Sequence, residues 1–449
     1  MMTTTEAVKE QDSKTYTKED IRQEVQENNV EFILLEFTDM LGETKNVELP
    51  IEELDLVLDD EAMFDSSSIS GFSEIQESDM YLVPDLDTFL ILPAMVDEDR
   101  SARFICDIYK PDGTPFEGDP RYILKRAMKK AEAMGYTVNV GPEPEFFLFK
   151  LNDEGYPIRK MNDRGGYFDS SPKDKGDKVR RDIMRTLKKY GFQMEASHHE
   201  VAMGQHEINF RFDSMLKAAD NIQTFKNVVK DIATNHDYHA TFMPKPILGE
   251  NGSGMHCHLS LFKDGDSAFY DEDAKDGVSR TMKQFIAGIL HHASGIAAIT
   301  NPNVNSYKRL VPGYEAPVSV AWSHSNRSCM VRVPTTRGKG TRFEVRNPDP
   351  TANPYLALAV LIQAGLEGIH NELDAGEAES RNLYEVDDDS VPTLPTNLKE
   401  AIKALRKDPV LLDALGDHTS KAYIEDKEAE WTEYSLQVSK WEMDKYMNN

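Results

Sequence analysis

The chain has 449 residues, of which 78 are acidic and 51 are lysine or arginine, so its formal net charge is −27. This acidity argues against a general nucleic-acid-binding surface, and the length predicts two domains with substantial cores. Three widely spaced cysteines, a polar start and no long apolar stretch exclude a disulfide framework, a zinc motif and a membrane span. We therefore expect a soluble, cytoplasmic protein.

The N-terminal part of the chain is predicted to form a small, strand-rich domain. Thr17 followed by Asp20 predicts the start of a helix. Residues 31–39 and 44–49 predict two paired strands that are joined by a turn at Gly42. Proline and glycine concentrate in KPDGTPFEGDPR, which marks a domain junction. The predicted boundaries are 1–15 for a flexible tail, 16–117 for the first domain and 118–449 for the second.

The second part of the chain is predicted to mix helices and strands irregularly. A helix should begin at Asp119-Pro120 and end at Gly135, and a strand should follow in TVNVGPEPEFFLFK. The last 60 residues are predicted to be helical, with Trp431 and Trp441 as packing anchors. Irregular alternation favours an α+β fold over a doubly wound one. Further helices are expected through Ile183 to Gly191 and from near Asp220, Arg280 and Asn353-Pro354.

The most informative carboxylates in the predicted strand are Glu143 and Glu145. Side chains two residues apart on a strand point to the same face, and two close carboxylates among phenylalanines would repel each other. A hard divalent cation such as Mg²⁺ or Mn²⁺ would relieve this repulsion. Pro142 and Pro144 are expected only at a strand edge or entrance. The alternative interpretation is a pair of surface glutamates on a twisted edge strand.

A second segment, ASHHEVAMGQHEINFRF, combines acids and histidines beside apolar residues. Glu200 and Glu207 lie in this stretch with His198, His199 and His206. Such a density of ionisable groups is typical of a site in a cleft. Each histidine taken alone is more often a structural hydrogen-bonding residue, so that alternative stays open for all three.

A third segment, GENGSGMHCHLS, has a flexible backbone that could approach a small ligand closely. His256 and His258 should project from one face of the strand that follows. The alternative is a tight surface turn. The chain contains neither a GxxxxGK[ST] loop nor a GxGxxG motif after a strand, so a nucleotide must be bound in another way.

A fourth segment is rich in arginines, which is unusual in so acidic a protein. Arginines bind carboxylates and phosphates and stabilise a transferring phosphoryl group, although salt bridging is the alternative. Together with a carboxylate metal site they indicate metal-assisted phosphoryl transfer or hydrolysis. The residues are Arg309, Arg327, Arg332, Arg337, Arg342 and Arg346, with Glu344 among them.

These segments together resemble the type I glutamine synthetases, specifically the short-chain subgroup that is not adenylylated. The resemblance implies a small N-terminal β-grasp domain plus a large catalytic domain with a curved, mostly antiparallel sheet flanked by helices. It also implies a dodecamer of two stacked hexamers whose active sites are shared between neighbours. The matching strings are GPEPEFFLF, ASHHEVAMGQHEI, NGSGMHCHLSLF, NSYKRLVPGYEAP, NRSCMVRVP and RFEVRNPDPTANPYLA.

The resemblance implies that ATP, glutamate and ammonium are joined with the help of two or three Mg²⁺ or Mn²⁺ ions per subunit. The implied ligands of one metal are Glu145, Glu200 and Glu207, and those of the second are Glu143, His256 and Glu344. The implied ATP contacts are Glu195, Phe212, His258, Ser260, Arg332, Lys339 and Arg342. The implied glutamate contacts are Asn251, Gly252, Arg309 and Arg346.

The implied catalytic residues are Asp65, Glu315 and Arg327. Glu315 would close over the reacting carboxyl group, and Arg327 would face the transferring phosphate. Asp65 and Ser68 of a neighbouring subunit would surround the ammonium ion together with Tyr167 and Glu200. Asp65 would then accept the ammonium proton.

Three positions depart from the family pattern or bear on regulation. Ser66 stands where glycine is usual, which would be strained if that residue had a positive φ. Glu74 stands where relatives inhibited by glutamine often have arginine, so weakened feedback is expected. Tyr384 is expected to be unmodified because the long insertion of the adenylylated class is absent.

Two other functions compete with glutamine synthesis. A γ-glutamyl-polyamine ligase of the same fold would need a more open amine pocket than Asp65, Ser68, Tyr167 and Glu315 leave. A nitrogen-sensing protein that binds a transcription regulator through the C-terminal sequence SKWEMDKYMNN is the other alternative, and such a partner is compatible with an active enzyme.

Overall fold

A computed structural model describes residues 15–69, 71–72, 78–93, 100–385 and 390–449. Among these residues the chain divides into two compact units. Residues 1–14 of the tail predicted over 1–15, and the position of Glu74, lie outside the described residues. The first unit contains 15–37, 44–68, 78–93 and 100–116, and the second contains 38–43, 69, 71–72, 117–385 and 390–449.

The first unit is built on one mixed sheet with the strand order β2-β1-β5-β4-β3, in which β1 and β5 run parallel. The predicted helix start is confirmed, because Thr17 and Asp20 form a capping box that satisfies backbone N–H groups. The predicted pair of strands is confirmed as β1 and β2. The elements are α1 Lys18–Glu27, β1 Phe32–Thr38, β2 Thr44–Pro50, α2 Leu54–Leu58, β3 Met63–Asp65, β4 Asp79–Ile91 and β5 Ser101–Tyr109.

The second unit contains a larger sheet and many helices, which makes the fold α+β as predicted. Its strands are β6 Thr137–Leu151, β7 Pro157–Met161, β8 Met194–His199, β9 Gln205–Phe210, β10 Asp213–Ser214, β11 Tyr238–Thr241, β12 Met255–Lys263, β13 Asp266–Ser267, β14 Ser319–His324, β15 Cys329–Val333 and β16 Phe343–Val345. Its helices are α3 Pro120–Ala133, α4 Asp177–Lys189, α5 Met215–Asn235, α6 Arg280–His291, α7 Ala293–Thr300, α8 Ser306–Arg309, α9 Pro354–His370, α10 Leu398–Leu405, α11 Pro409–Leu415, α12 Asp417–Ser435 and α13 Lys440–Tyr446.

The large sheet follows the order β14-β15-β16-β12-β6-β9-β8, and β7, β10, β11 and β13 pair beside this path. Its described pairs are antiparallel except for β14 with β15. β6 is a long central strand whose partners change along its length. Because β12 and β9 both pair with it, residues from distant segments meet at its middle.

Pro142 and Pro144 lie within β6, not at a sheet edge or a strand entrance, so that expectation was wrong. The N–H of Glu145 donates to the carbonyl of Gly254 on the side of β12. Backbone N–H groups alternate sides along a strand, so the two proline nitrogens face the other way. There they fall between the stretches of β6 that pair with β10 and with β9, and remove no ladder hydrogen bond.

Helix α9 has 13 of its 17 residues buried and packs against α3 and α6. It begins at Pro354, as predicted, and Asn353 caps it by accepting hydrogen bonds from the N–H groups of Tyr355 and Leu356. Gly365 allows the close approach of α6, since a Cβ there would lie 2.0 Å from the Phe285 ring. This packing fixes the helical layer that supports the sheet.

Two expectations about helices were wrong in detail. Helix α5 begins at Met215, five residues before Asp220, and Asp220 is a buried partner of Arg121 inside the helix. Trp431 packs against the core, but Trp441 is 60 % exposed, and its described ring contacts are with Tyr446 and Lys445 of its own helix. A tryptophan in a predicted helix therefore did not distinguish the exposed helix α13 from the packed helix α12. None of the described helices is both long and apolar enough to cross a bilayer.

Candidate active site

The two glutamates of β6 each face a ligand candidate on a neighbouring strand. β12 pairs with the first part of β6, which places Glu143 opposite His256. β9 pairs with the next part, which places Glu145 opposite Glu207. The antiparallel registers therefore assemble a site from segments that are distant in the sequence.

One group of candidate metal ligands consists of His198, Glu200 and Glu207. Their ligand atoms all lie within 4.8 Å of one another. The Nε2 atom of His198 is 2.7 Å from Oε1 of Glu200 and 3.7 Å from Oε1 of Glu207. Glu145 lines the same cavity, so Glu145, Glu200 and Glu207 meet there. The sequence left open whether His198 is structural or a ligand, because a single histidine carries no signal of its neighbours.

The carboxylates of this first group repel one another in a buried setting. Burial and then the Glu200 carboxylate raise the pKa of Glu145 to about 8. Burial followed by Glu145 and Glu143 raises the pKa of Glu207 well above its ordinary value. A divalent cation would remove this repulsion, and hard cations prefer carboxylate oxygens. The residues present therefore fit a divalent metal ion.

A second group of candidate ligands consists of Glu143, His258 and Glu344, again with ligand atoms within 4.8 Å. The Nδ1 atom of His256 is 3.6 Å from a carboxylate oxygen of both Glu143 and Glu344. Burial acts to raise the pKa of Glu143, but His256 and His258 outweigh it and lower that pKa. Both histidines thus lie beside these carboxylates, although only His256 was predicted as a ligand.

Two cavities share Glu143 in their walls, and they separate most of the predicted binding residues. Arg332 is the exception, because it was predicted to contact ATP but lines the cavity that contains the predicted glutamate contacts. We call the first the acidic cavity. Its walls contain every member of the two ligand groups except His258. They also contain Tyr167, Asn251, Gly252, Arg309, Glu315, Arg327, Arg332 and Arg346. The second, which we call the Phe212 cavity, is lined by Glu195, Phe212, His258, Ser260, Lys339 and Arg342.

Three of the four arginines that line the acidic cavity are held in place by ion pairs or backbone carbonyls. Glu344 forms ion pairs with both Arg332 and Arg346. The guanidinium of Arg309 donates to the carbonyls of Asn347, at 2.7 Å, and Arg346, at 3.1 Å. Fixed guanidinium groups are suited to binding carboxylates and phosphates without reorganisation.

Residues 312–316, which we call the flap segment, contribute Glu315 to the rim of the acidic cavity. Glu315 has φ of +59°, which is uncommon for a residue other than glycine. Its carboxylate accepts a hydrogen bond of 3.2 Å from Nδ2 of Asn251. Arg327 lies in the same cavity, where burial acts to lower its pKa, but the neighbouring Tyr167, Glu344 and Glu315 outweigh burial and raise it.

Gly252 has no room for a side chain. A Cβ at this position would lie 2.3 Å from the carbonyl oxygen of Pro244 and 3.0 Å from Cγ of Arg309. The side-chain amide of Gln205 donates both to the Gly252 carbonyl and to Glu145. Gln205 was not predicted, and its link between the first ligand group and the glycine loop depends on strand pairing that the sequence does not display.

Asp65 and Ser68 belong to the first unit, whereas the residues lining both cavities belong to the second. The Asp65 carboxylate accepts hydrogen bonds from the backbone N–H and hydroxyl of Ser67, which lower its pKa. Ser66 does not have a positive φ, so the expected strain is absent. Its side chain is buried and its hydroxyl donates to the carbonyl of Ser78.

A third buried group, Asp163, His199 and His206, is a hydrogen-bonded network and not a metal site. His199 lies between Oδ1 of Asp163, at 2.9 Å, and the carbonyl of Glu200, at 2.7 Å. Nδ1 of His206 accepts a hydrogen bond from Arg180. A guanidinium so close opposes a bound cation, so the group fixes the backbone of Glu200 instead.

Metal removal is expected to make thermal stability depend on pH. Because the pKa values of Glu145 and Glu207 are raised, the folded, metal-free protein holds protons that the unfolded chain releases. Its stability therefore falls as pH rises from about 4.5 to about 8. Added Mg²⁺ should therefore raise Tm more at about pH 8.5 than at about pH 6, by a few degrees. Thermal unfolding of the chelated protein, with and without added Mg²⁺, measures the gain in Tm at each pH.

Glu207→Gln should reduce the pH dependence of the metal-free protein, because it removes one buried carboxylate. Glu372→Gln, at an exposed glutamate, is the matched control and should behave as the unsubstituted protein. Equal Tm gains from Mg²⁺ at both pH values would contradict the proposed repulsion.

Comparison with known families matches nearly the whole chain. A family model described as "Glutamine synthetase, catalytic domain" matches residues 117–446, and one described as "Glutamine synthetase, beta-Grasp domain" matches residues 29–111. The predicted arrangement of a small β-grasp domain and a large catalytic domain is thereby confirmed.

Individual relatives show the same pattern. Glutamine synthetase of Staphylococcus aureus strain Mu50 is 54% identical over 440 residues, covering 97% of this chain and 99% of the relative. A solved structure described as "GmaS/ADP complex-Conformation 1" has a TM-score of 0.88 at 31% identity, covering 96% of this chain and 100% of the other. A structure described as "CryoEM Plasmodium falciparum glutamine synthetase" has a TM-score of 0.86 at 26% identity, with coverages of 96% and 99%.

Proposed function

The chain belongs to the glutamine synthetase family, and from this premise we propose how its residues share the work of the reaction. It is an ATP-dependent glutamate–ammonia ligase, which converts ATP, L-glutamate and ammonia to L-glutamine, ADP and phosphate through γ-glutamyl phosphate. The observation that carries the assignment of roles is the position of Glu143, which lines two cavities whose walls suit different substrates.

The ligase depends on a divalent metal, and the two ligand groups beside β6 are where we place it. Glu145, Glu200 and Glu207 would hold one ion, with His198 as a neighbour, and Glu143, His256 and Glu344 would hold another. We propose Mg²⁺ or Mn²⁺, two or three per subunit. When bound, such ions supply Lewis-acid stabilisation of phosphoryl and carboxylate oxygens.

ATP is proposed to occupy the Phe212 cavity. Phe212 is half exposed there and offers its ring to the adenine base. Lys339 and Arg342 supply positive charge for the phosphates. Glu195, His258 and Ser260 complete the contacts, while Arg332 reaches the phosphates from the acidic cavity. The GmaS structure, which has a closely similar fold, is a complex with ADP, and this supports nucleotide binding here.

Glutamate is proposed to occupy the acidic cavity. Arg309 and Arg346 would bind the carboxylates of glutamate, and Asn251 and Gly252 would make further contacts with the same molecule. The absence of a side chain at Gly252 lets the loop backbone pack against Pro244 and Arg309, so Gly252 lies beside a guanidinium that is proposed to bind glutamate. Arg327 would offset the charge that develops on the transferring phosphate.

Ammonium is proposed to bind beside Tyr167 and Glu200, because a cation is stabilised among carboxylates. Asp65 and Ser68 of a neighbouring subunit would complete this site, and Asp65 would accept the proton that leaves before attack on the acyl phosphate. Glu315 would cover the reacting carboxyl and exclude water.

A larger assembly follows from an active site shared between subunits, and we propose a dodecamer of two stacked hexamers in the cytoplasm. The three cysteines are free and buried, as expected of a reducing compartment. We further propose the domain boundary near residue 117, an unmodified Tyr384 and a transcription-regulator partner for the C-terminal sequence. Weakened glutamine feedback through Glu74 is a hypothesis about a residue outside the described part.

The two competing functions are not favoured. High identity to glutamine synthetases over 97% of the chain speaks against a polyamine ligase and against a purely regulatory protein. Tyr167, Glu200 and Glu315 line the same cavity, and the carboxylates of the two glutamates suit a small cation such as ammonium.

A phosphate-release assay with ATP, glutamate and ammonium, omitting each in turn, tests the proposed function. Full activity should require all three, and putrescine or methylamine should not replace ammonium. Phosphate release that does not depend on glutamate would refute the assignment of the acidic cavity. Faster turnover with putrescine than with ammonium would favour the polyamine ligase.

A further inference from the structure

Lys245 lies against the flap segment although it belongs to neither ligand group. Its ammonium group is 3.6 Å from the ring centroid of Tyr314, the residue before Glu315. The Lys245 residue is only 9% exposed, and its Nζ also donates to the carbonyl of Glu250. A cation over an aromatic face is attracted by it, and more strongly when both are removed from water.

The backbone of Lys245 is fixed at both of its polar groups. Its N–H donates to Oδ1 of Asn305 at 2.7 Å, and Nδ2 of Asn305 donates to its carbonyl at 3.1 Å. The flap segment, by contrast, has Gly313 at φ of +89° and an exposed Glu315. Lys245 is therefore a fixed point against which the flap segment rests.

The loop that carries Lys245, residues 244–253, also contributes Asn251 and Gly252 to the wall of the acidic cavity. The carbonyl of Pro244 accepts a hydrogen bond of 2.8 Å from the N–H of Ser253. Asn251, within the same loop, donates to Glu315. The loop thus holds two consecutive residues of the flap segment, Tyr314 through Lys245 and Glu315 through Asn251.

We propose that Lys245 is a positioning residue that keeps Tyr314 and Glu315 over the acyl phosphate, so that ammonia and not water attacks it. This inference rests on the proposed function. In the coupled reaction a C–N bond forms, and the bond between the acyl carbon and the oxygen that bridges to phosphorus breaks. Phosphate leaves with that oxygen and the electron pair, and a proton leaves nitrogen. If water enters, a C–O bond forms instead and the same bond breaks, which yields glutamate, phosphate and a proton.

Two quantities test this role: phosphate released per glutamine formed at saturating ammonium, and phosphate released when ammonium is left out. Lys245→Met and Tyr314→Leu should each raise ammonium-independent, glutamate-dependent phosphate release about 5-fold, as expected from loss of a buried cation–π contact. Lys245→Arg and Tyr314→Phe keep a cation and a ring, so both should retain tight coupling. The double variant Lys245→Met/Tyr314→Leu should uncouple no more than the worse single variant.

A purely structural role for Lys245 makes different predictions. It would lower the rate of glutamine formation and phosphate release together, leaving their ratio at one in Lys245→Met. Unchanged ratios in both Lys245→Met and Tyr314→Leu, or equal uncoupling in Tyr314→Phe and Tyr314→Leu, would overturn the proposal. Should Lys245→Met fail to fold, the Tyr314 pair decides alone. An unsubstituted protein without glutamate-dependent phosphate release would instead refute the proposed function.

Discussion

Replacing Arg327 by alanine is expected to lower kcat for glutamine formation about 1000-fold, with a much smaller change in KM for ATP. Arg327 lines the acidic cavity beside Tyr167 and is exposed, so its removal should not unfold the chain. The loss is expected mainly in kcat because the guanidinium would meet charge that develops only as phosphate is transferred. Steady-state rates at saturating glutamate and ammonium, measured over a range of ATP concentrations, give kcat and KM for ATP.

Two further arginine variants control this experiment. Arg327→Lys keeps the charge but loses the planar fork, so its kcat should fall between those of the unsubstituted protein and Arg327→Ala. Arg185→Ala removes an exposed arginine of α4 that lies outside both cavities and should leave kcat unchanged. A kcat within about threefold of normal for Arg327→Ala would contradict its role.

Glu143→Gln and Glu145→Gln are expected to impair different substrates although the residues are two positions apart. Glu143 lines both cavities, whereas Glu145 lines only the acidic cavity. Glu143→Gln should therefore raise KM for ATP, and Glu145→Gln should raise KM for glutamate and ammonium, each about 10- to 100-fold, since a metal site is worth several kcal/mol. Glutamine keeps the side-chain volume, which limits packing effects.

The matched control for this pair is Glu195→Gln, because Glu195 lines only the Phe212 cavity. It should raise KM for ATP and leave the constants for glutamate and ammonium unchanged. Equal effects of the two β6 variants on all three substrates would contradict the division between cavities.

Helix and strand locations in this chain follow from local patterns. The capping box at Thr17 and the cap at Asn353 satisfy backbone groups within a few residues, so sequence spacing was sufficient to predict them. Trp441 shows the limit, since burial depends on which surfaces meet, and the short, mostly charged helix α13 that carries it has no buried residue.

The site was only partly predictable because its contacts are made across strands. The side-by-side position of Glu143 and Glu145 could be predicted from spacing, but their registers with His256 and Glu207 could not. For the same reason His198 was not recognised as a neighbour of two glutamates. Family resemblance supplied the roles, while the structure explains how buried repulsion and fixed arginines make those residues suitable for the chemistry.

The most direct test follows an oxygen atom from glutamate to phosphate. In this account a γ-carboxylate oxygen of glutamate attacks the terminal phosphorus of ATP, and that oxygen leaves with phosphate when ammonia displaces it. With glutamate labelled with oxygen-18 in the γ-carboxylate, mass spectrometry of the released phosphate should find one labelled oxygen in each molecule. Unlabelled phosphate formed together with glutamine would contradict an acyl phosphate intermediate in this site.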